Sequence, residues 1–336
     1  MAIFNRRSFM SNSLRCAGAG ALGLAMPAVV RAAGPIELKL AHGDSPRHPA
    51  QQVALQFAKL VEERTGGEVH IRVFAGGQLG TELNSISGLS TGIIDFAMQS
   101  SGFLAQFFPR IQVFDLPFLF KDSAVANQVL DGDAGAQIFK DMPAKGVYGL
   151  CWGHNGWRVV ETRDNAVNEP KDLNGLKIRL QPSAIFASMF KALGAIPVTL
   201  DVTEVYLALS QNTVQAVEVP FLVVAASKLY EVIKHVGLTN HVYGAAALLA
   251  SKGKLDSLSP KAQSVIRDTA KEMSPQWRTL LAQRSDEDRQ TCEQKGVVVN
   301  AVNHDAFRQA MSPVYTEFRD KIGADIVDQV LKATSA

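Results

Sequence analysis

Two kinds of hydrophobic pattern alternate along this chain: short segments with a period of two, and longer segments with helical spacing. Residues 36–40 and 69–73 alternate apolar and polar positions as strands do. Between them, residues 48–65 carry apolar side chains at helical spacing and end at Gly66 and Gly67, which predicts a helix. This regular succession of strands and helices predicts α/β layers with largely parallel strand pairing.

The same succession continues through the rest of the chain. Strands are predicted at residues 93–98, 176–181, 196–200 and 214–219, and helices at residues 183–193, 203–211 and 221–231. Residues 232–241 have an extended pattern, and we expect them to run between two domains. A capping pattern that starts at Ser259 predicts a very long helix, which reaches about Gln294. A strand between domains and a long spanning helix are typical of a two-lobed protein.

The N-terminal segment has the features of an export signal. Arg6 and Arg7 form a twin-arginine pair, an apolar stretch covers residues 17–30, and a small-residue cleavage site ends at Ala32. The apolar stretch is shorter than the ~20 residues that a membrane-spanning helix needs. The sequence therefore predicts a twin-arginine signal peptide at residues 1–32 and a soluble protein in the periplasm.

Removal of the signal changes the charge of the protein. The formal net charge of the whole chain is +2, and residues 1–32 hold four arginines and no acid, so the mature chain has a net charge of +2 − 4 = −2. A nearly neutral protein offers no basic face to nucleic acid or to an anionic membrane. The remaining 304 residues (336 − 32) are enough for two domains.

Cysteine and histidine spacing predicts neither a metal site nor a cofactor. No His-x-x-x-His or Cys-x-x-Cys pair occurs, and no general-base constellation marks a catalytic residue. Cys151 and Cys292 remain after cleavage of the signal, and we expect two buried, unpaired thiols, with a disulfide as the alternative. His42 follows a strand, where α/β folds place ligands, so it is either a ligand-lining residue or a capped or solvated histidine.

A single arginine in an apolar strand is the strongest indication of function. Arg179 interrupts the segment Gly175–Leu180, and a guanidinium presents a rigid fork of donors that matches a carboxylate. Together with the export signal, this predicts capture of small organic acids outside the cytoplasm. The alternative for such an arginine is a surface or core salt bridge. Gln99 and Ser100 follow another strand and are candidate polar ligands at the opening of a cleft.

Eight short motifs, in order along the chain, give it a family resemblance. The chain resembles, from Leu38 to Phe318, the DctP-type solute-binding subunits of tripartite ATP-independent periplasmic (TRAP) transporters. The motifs are EERTGG (62–67), GQLG (77–80), VFDLPFLF (113–120), NGWR (155–158), DLNGLKIR (172–179), TEVYLAL (203–209), KLYEV (228–232) and TNH (239–241).

The resemblance implies an architecture and partners. The fold would be a two-lobed α/β periplasmic binding protein, type II-like, with crossing hinge strands and a long spanning C-terminal helix. Residues 33–155 and 245–284 would form lobe I, and residues 156–244 and 285–336 would form lobe II. The protein would close on a small carboxylate and deliver it to a small and a large TRAP membrane permease subunit.

The resemblance also implies roles for individual residues. The arginine that clamps the ligand carboxylate in the family corresponds to Arg179, and the arginine that often assists corresponds to Arg158. Val219 stands where the family often has an asparagine that contacts the carboxylate, and Val202 stands where an aromatic residue is common. Four aromatic residues are then candidates to line a more apolar cavity, with core packing as the alternative for each: Trp152, Trp157, Phe186 and Phe221.

Two other classes of protein are alternatives to this interpretation. Twin-arginine export often serves cofactor-dependent oxidoreductases, but the one dinucleotide-type glycine pattern, at residues 18–23, lies inside the signal. A binding protein for an ATP-driven importer or a sensor kinase would have the same two-lobed architecture. The identity of the acid also stays open, because one arginine fits a monocarboxylate, a sugar acid or a dicarboxylate.

Overall fold

The computed structural model describes residues 34–335, which form mixed α/β structure around two separate sheets. The strands are β1 (Ile36–Ala41), β2 (Val69–Phe74), β3 (Phe96–Ser100), β4 (Val147–His154), β5 (Arg158–Thr162), β6 (Lys177–Leu180), β7 (Ile196–Thr199), β8 (Ala216–Val219), β9 (His235–Val242), β10 (Ala245–Ser251) and β11 (Val298–Asn300). The helices are α1 (Pro49–Thr65), α2 (Glu82–Thr91), α3 (Ser101–Leu104), α4 (Ser123–Asp131), α5 (Asp133–Asp141), α6 (Ala184–Ala192), α7 (Val205–Ser210), α8 (Phe221–Ala226), α9 (Lys252–Asp256), α10 (Pro260–Gln294), α11 (His304–Met311), α12 (Pro313–Ile322) and α13 (Ala324–Thr334). Short 3₁₀ helices lie at Pro109–Asp115, Met142–Lys145, Pro170–Leu173, Val202–Glu204 and Leu229–Glu231.

Each sheet combines parallel and antiparallel strands. The first sheet has the order β2-β1-β3-β10-β4, and the second has the order β11-β9-β5-β8-β6-β7. Pairs that a helix connects, such as β1 with β2 and β6 with β7, are parallel. The pairs of β10 with β3 and β4, and of β5 with β8 and β9, are antiparallel. The prediction of largely parallel pairing is therefore wrong for the strands at which the chain passes from one sheet to the other.

The chain crosses between the sheets three times, the last time through α10, and the first two crossings touch each other. β4 of the first sheet leads into β5 of the second, and β9 of the second leads back into β10 of the first. Gly244 lies in the second crossing with φ +68°, and a Cβ atom there would come within 2.3 Å of the Gly156 carbonyl oxygen in the first. Only glycine therefore allows the two crossings to pack this closely.

The long helix α10 packs against elements of both halves. Ser259 caps its N-terminus by accepting a hydrogen bond from the Ala262 amide at 3.1 Å, and Pro260 occupies the first turn, where a missing amide proton costs nothing. The helix contacts α1 and β4 on the side of the first sheet, and α8, which follows β8 of the second. The predicted position of this helix is confirmed.

Two predicted elements have different boundaries in the structure. The strand expected at residues 93–98 lies at Phe96–Ser100, which places Gln99 and Ser100 inside the strand rather than after it. The helix expected at residues 221–231 ends at Ala226, because Lys228 adopts the left-handed region with φ 54° and stops the helical path.

Cys151 and Cys292 are buried and unpaired, as the sequence predicts. Burial raises the pKa of the Cys151 thiol and of the Cys292 thiol to about 12, so neither is a reactive thiolate.

No helix among residues 34–335 is both long enough and apolar enough to cross a membrane. The predicted signal peptide lies outside the described residues, and the lobe boundaries stay a prediction.

Candidate functional site

Arg179 is a buried cation without a carboxylate partner in the described chain. It lies on β6 with 1 % of its surface exposed. Its Nε and Nη2 atoms donate to the Leu200 carbonyl oxygen at 3.0 and 2.7 Å, and Nη1 makes no hydrogen bond to any of residues 34–335. Burial lowers the pKa of Arg179 to about 10; the neighbouring Arg158 acts in the same direction, whereas Glu218 acts against it. The guanidinium therefore keeps binding capacity for an anion.

Arg158, in contrast, is paired with an acid of its own. It begins β5, and its Nε and Nη2 atoms donate to the two carboxylate oxygens of Glu218 on β8, with 2.8 Å between Nη2 and Oε1. His241 on β9 places Nε2 3.5 Å from Glu218 Oε2. Burial opposes ionisation of Glu218, but Arg158 and His241 hold the pKa of Glu218 below its usual value. The salt bridge that the sequence left open as an alternative is present at Arg158.

Gln181 connects this ion pair to the first sheet. With its amide oriented to satisfy both neighbours, its oxygen accepts from Arg158 Nη1 at 2.7 Å and Nη2 at 3.1 Å, and its nitrogen donates to the Ser100 hydroxyl at 2.9 Å. Ser100 ends β3, so the two predicted site residues Ser100 and Arg158 are bridged by one side chain. Gly102 makes room for this bridge, because a Cβ atom there would lie 2.3 Å from the Gln181 side chain.

Other polar groups of the first sheet have unused hydrogen-bonding capacity. Gln99 on β3 is 2 % exposed, and neither its amide nitrogen nor its amide oxygen has a partner within residues 34–335. His42 follows β1; its Nε2 lies 2.7 Å from Gln51 Oε1, whereas Nδ1 is buried without a partner in the same part of the chain. Buried polar atoms in this state are unfavourable unless a ligand or solvent satisfies them.

Glu82 is a buried acid near the segment that positions Arg179, and the sequence patterns did not identify it. It begins α2, and its backbone amide donates to Asp201 Oδ2 at 3.3 Å. Asp201 directly follows Leu200, whose carbonyl holds Arg179, so the N-terminus of α2 lies against the segment that positions the guanidinium. Burial raises the pKa of Glu82 well above its usual value; Asp44 and Asp201 add to this effect, and Arg179 opposes it.

Asp115 is a second acid that pattern reasoning missed. It ends the 3₁₀ helix Pro109–Asp115, is fully buried, and accepts a hydrogen bond from the Ser101 hydroxyl at 2.5 Å. Burial raises the pKa of Asp115 to about 7, although the Ser101 hydrogen bond and the nearby Arg158 both favour its charged form. Its second oxygen, Oδ2, has no partner among the described residues.

The apolar candidates lie at different places. Arg179 on β6 lies opposite Val217 on β8. Because side chains alternate along a strand, Val219 lies on the same face of the second sheet as Arg179 and Val217. Phe221 is buried in the same hydrophobic cluster as Val219. Trp157 donates its indole proton to the Ser123 hydroxyl at 3.1 Å and lines a separate cavity of about 610 Å³. The contacts of Trp157 therefore do not bring it together with Arg179.

Some of the missed residues carry a signal in the sequence. Glu218 is a lone charge in the apolar strand Ala216–Val219, which is the same pattern that identified Arg179. Glu82 follows the capping residue Thr81, but helix N-termini commonly carry acids, so this position alone does not indicate burial.

Among residues 34–335, no group of three or more His, Cys, Asp or Glu side chains is arranged to hold a metal ion. Chemically, the arrangement suits reversible binding of a small anion.

Comparison with known proteins identifies the family. A profile described as DctP, bacterial extracellular solute-binding protein, family 7, matches residues 40–321. The chain belongs to this family. It is a periplasmic solute-binding protein with the two-lobed α/β fold that the sequence predicts, and the DctP family consists of solute-binding proteins rather than enzymes.

Three similar proteins illustrate the range of the DctP family. The 2,3-diketo-L-gulonate-binding periplasmic protein YiaO of Escherichia coli K12 is 35 % identical over 274 residues, which cover 81 % of this chain and 83 % of YiaO. The sugar acid binding protein DctPAm of Advenella mimigardefordensis, solved with galactonate, superposes with a TM-score of 0.87 at 30 % identity, covering 90 % of this chain and 98 % of that one. A TRAP periplasmic solute-binding protein of Shewanella oneidensis, solved with succinate, has a TM-score of 0.86 at 30 % identity, covering 90 % and 100 %.

Proposed function

We propose that this chain is the periplasmic substrate-binding subunit of a TRAP transporter. It captures a small organic acid in the cleft between its two sheets and delivers the acid to a membrane permease made of a small and a large subunit. Related TRAP proteins have been solved with carboxylates bound, among them galactonate and succinate, which supports a carboxylate as the ligand. The protein binds its ligand reversibly and does not transform it.

One observation carries the proposal: the guanidinium of Arg179 is buried, and no carboxylate of the described chain forms a salt bridge with it. An unpaired charge is costly away from water, and a carboxylate relieves that cost with two parallel, charge-assisted hydrogen bonds. Arg158 is already compensated by Glu218, so it contributes a fixed position rather than a vacant donor pair. Arg179 is therefore the anchor for the ligand carboxylate.

Isothermal titration with a panel of organic acids tests this assignment. Loss of one partner of a desolvated charge pair costs roughly 2–5 kcal/mol, so Arg179→Ala should weaken binding by about thirtyfold to several thousandfold. Arg179→Lys should not restore binding, because an ammonium lacks the planar fork. Arg289→Ala, which removes an exposed arginine on α10 that pairs with Glu293, is the matched control and should bind as the wild type does. Affinity of Arg179→Ala within threefold of wild type places the carboxylate elsewhere.

Two further measurements test the remaining parts of the proposal. A stoichiometric metal or turnover of any screened acid would indicate an enzyme, whereas we expect unchanged acid to be recovered. For the partners, the wild-type protein should stimulate uptake by a reconstituted permease of one small and one large subunit, and Arg179→Ala should not. Uptake that instead requires ATP would indicate an ATP-driven importer.

A further inference from the structure

A cavity of about 430 Å³ lies outside the candidate site. It is bounded by the end of α4, by α5, by the middle of α10 and by β4, which is an edge strand of the first sheet. Its apolar walls are formed by Leu130, Ala136, Phe139, Leu150, Trp152 and Pro275. Cavities that bind small molecules have this range of sizes and a similar, mainly apolar lining.

Two departures from regular backbone structure lie at this cavity. In β4, residues 149 and 151 are opposite adjacent residues of β10, so Leu150 between them is an extra, bulged residue. Bulges re-aim side chains, and Leu150 lines the cavity. In α10, Pro275 lies inside the helix and has no amide proton to donate to the Lys271 carbonyl oxygen.

One wall of the cavity is aromatic. The rings of Phe139 and Trp152 stack with their centroids 4.3 Å apart and an angle of 6° between the planes. Gly149 permits this stacking, since a Cβ atom there would overlap the Phe139 ring. Trp152 Nε1 is buried without a partner among residues 34–335, and a Cβ atom at Gly135 would lie only 2.7 Å from it. The wall therefore offers flat rings, the surface on which another aromatic ring packs well.

The charged groups at the rim favour an anion. Lys271 is exposed, and no acid of residues 34–335 forms a salt bridge with it. Asp131, the acid at the rim, accepts hydrogen bonds from Arg278 at 2.6 and 2.7 Å, so its charge is compensated. The Ser274 hydroxyl is also occupied, because it donates to the Trp152 carbonyl oxygen at 2.6 Å. Lys271 is thus the lining charge that remains available to a ligand.

We propose that this cavity is a second ligand site, which binds a small aromatic monoanion. The ring of the ligand packs against Phe139 and Trp152, and its acidic group pairs with Lys271. Arg179 takes no part, because it lies on β6 of the second sheet. The site therefore goes beyond the proposed function and does not depend on it.

Three probes test the chemical class, with ligand-observed NMR as the measurement in wild type and in Arg179→Ala. 4-Phenylbutyrate has both the ring and the charge, and a molecule of its size should bind with a Kd of about 0.1–1 mM in both proteins. 4-Phenyl-1-butanol lacks the charge and should bind about two- to fivefold more weakly. In Arg179→Ala, hexanoate lacks the ring and should bind at least about tenfold more weakly. Failure of 4-phenylbutyrate to bind at about 10 mM overturns the inference.

Substitutions at the walls place the probe in the cavity. Ala136→Phe fills the cavity from an exposed position on α5 and should weaken 4-phenylbutyrate at least about tenfold, because the two rings compete for one space. Ala333→Phe, at an exposed position on α13, is its matched control and should bind as wild type does. Lys271→Ala should weaken 4-phenylbutyrate about two- to fivefold and leave 4-phenyl-1-butanol unchanged. Lys261→Ala, exposed on the same helix, should change neither.

The outcomes distinguish failure of this inference from failure of the proposed function. If Ala136→Phe and Ala333→Phe have equal effects, the probe binds elsewhere and the inference is wrong. If circular dichroism shows that Ala136→Phe does not fold, equal affinities of Lys271→Ala and Lys261→Ala overturn the inference, and the expected difference between them supports it. Loss of 4-phenylbutyrate binding in Arg179→Ala would place the probe at the candidate site, which contradicts the second site and supports Arg179 as an anion anchor.

Discussion

On the second-sheet side of the candidate site, the buried Arg158 has a carboxylate of its own in Glu218, whereas on the first-sheet side Gln99 and Glu82 are buried with polar atoms that no described residue satisfies. Paired charges fix each other in position, at the cost of removing both from water. Buried polar groups without a partner remain available to a ligand, but they raise the free energy of the protein when no ligand is bound. One side therefore has its charges fixed against each other, whereas the other side keeps unused hydrogen-bonding groups.

Arg179 differs from both groups, because it is a full charge with only a carbonyl as its partner. It lies on the second-sheet side, next to a pair that is already neutral. Arg179 is thus a cation without a salt-bridge partner in the described chain, and the Arg158–Glu218 pair and Gln181 hold the surrounding structure in place.

The largest expected effect is a loss of stability when the Arg158–Glu218 pair is broken. Glu218→Ala leaves Arg158 as an uncompensated buried charge, which should lower the free energy of unfolding by about 3–5 kcal/mol. Arg179→Ala removes a charge that has no acidic partner, so its unfolding free energy should stay within about 1 kcal/mol of wild type. Urea denaturation, followed by circular dichroism, measures both values.

An exposed pair provides the control for this stability comparison. Glu293→Ala breaks the exposed pair with Arg289 on α10 and should change the unfolding free energy by less than about 1 kcal/mol. Equal destabilisation by Glu218→Ala and Arg179→Ala would contradict the distinction between a paired and an unpaired guanidinium, because both would then be structural.

The next largest effect is a pH dependence of the unfolding free energy, which Asp115 causes. Burial raises the pKa of Asp115 from 3.8 to about 7, so between these values the folded state binds more protons than the unfolded state. The unfolding free energy contributed by this group therefore falls as pH rises from about 4 to 7 and is constant above, with a total change of at most about 4 kcal/mol. Asp115→Asn should gain stability relative to wild type over that range, as thermal unfolding at each pH would reveal.

A companion variant sharpens the pH prediction. The Ser101 hydroxyl lowers the pKa of Asp115, so Ser101→Ala should extend the pH-dependent range upward. A stability difference between Asp115→Asn and wild type that does not vary with pH would mean that Asp115 is ionised in the fold like an exposed acid.

Elements with strong local signals could be predicted from the sequence. The helix α10 has a capping serine, a proline in its first turn and a polar outer face, and its predicted bounds agree with the structure. Arg179 was identifiable because a charge within a short apolar strand is rare. Glu218 follows the same rule, but its acidic character did not fit the expected carboxylate ligand, and only the fold reveals that it compensates Arg158.

Contacts between the two sheets could not be derived from local patterns. Glu82 and Asp201 are 119 residues apart, and Ser100 and Gln181 are 81 apart, so no periodicity relates them. The antiparallel pairs of β5 and β10 arise for the same reason, because strand direction there depends on where the chain crosses between the sheets. Spacing determines the elements, whereas tertiary packing determines which of them meet.

The smallest expected effect is kinetic and tests how the two sides are held together. Arg47 lies between β1 and α1 of the first-sheet half, and its Nε and Nη2 atoms donate to the Ala226 carbonyl oxygen at 3.0 and 2.8 Å. Ala226 ends α8, where backbone carbonyls lack intrahelical partners and the helix dipole is negative. The guanidinium therefore caps a helix of the opposite half and holds the two halves together at this point.

Loss of this cap should speed ligand release without changing ligand preference. We expect Arg47→Ala to raise the dissociation rate about three- to tenfold, with little change in the association rate, because the contact forms only when the halves meet. Stopped-flow tryptophan fluorescence measures both rates. Arg284→Ala, which removes an exposed arginine that pairs with Glu287 within α10, should leave both unchanged. An unchanged dissociation rate in Arg47→Ala would show that Glu82, Ser100 and their partners hold the cleft closed without this contact.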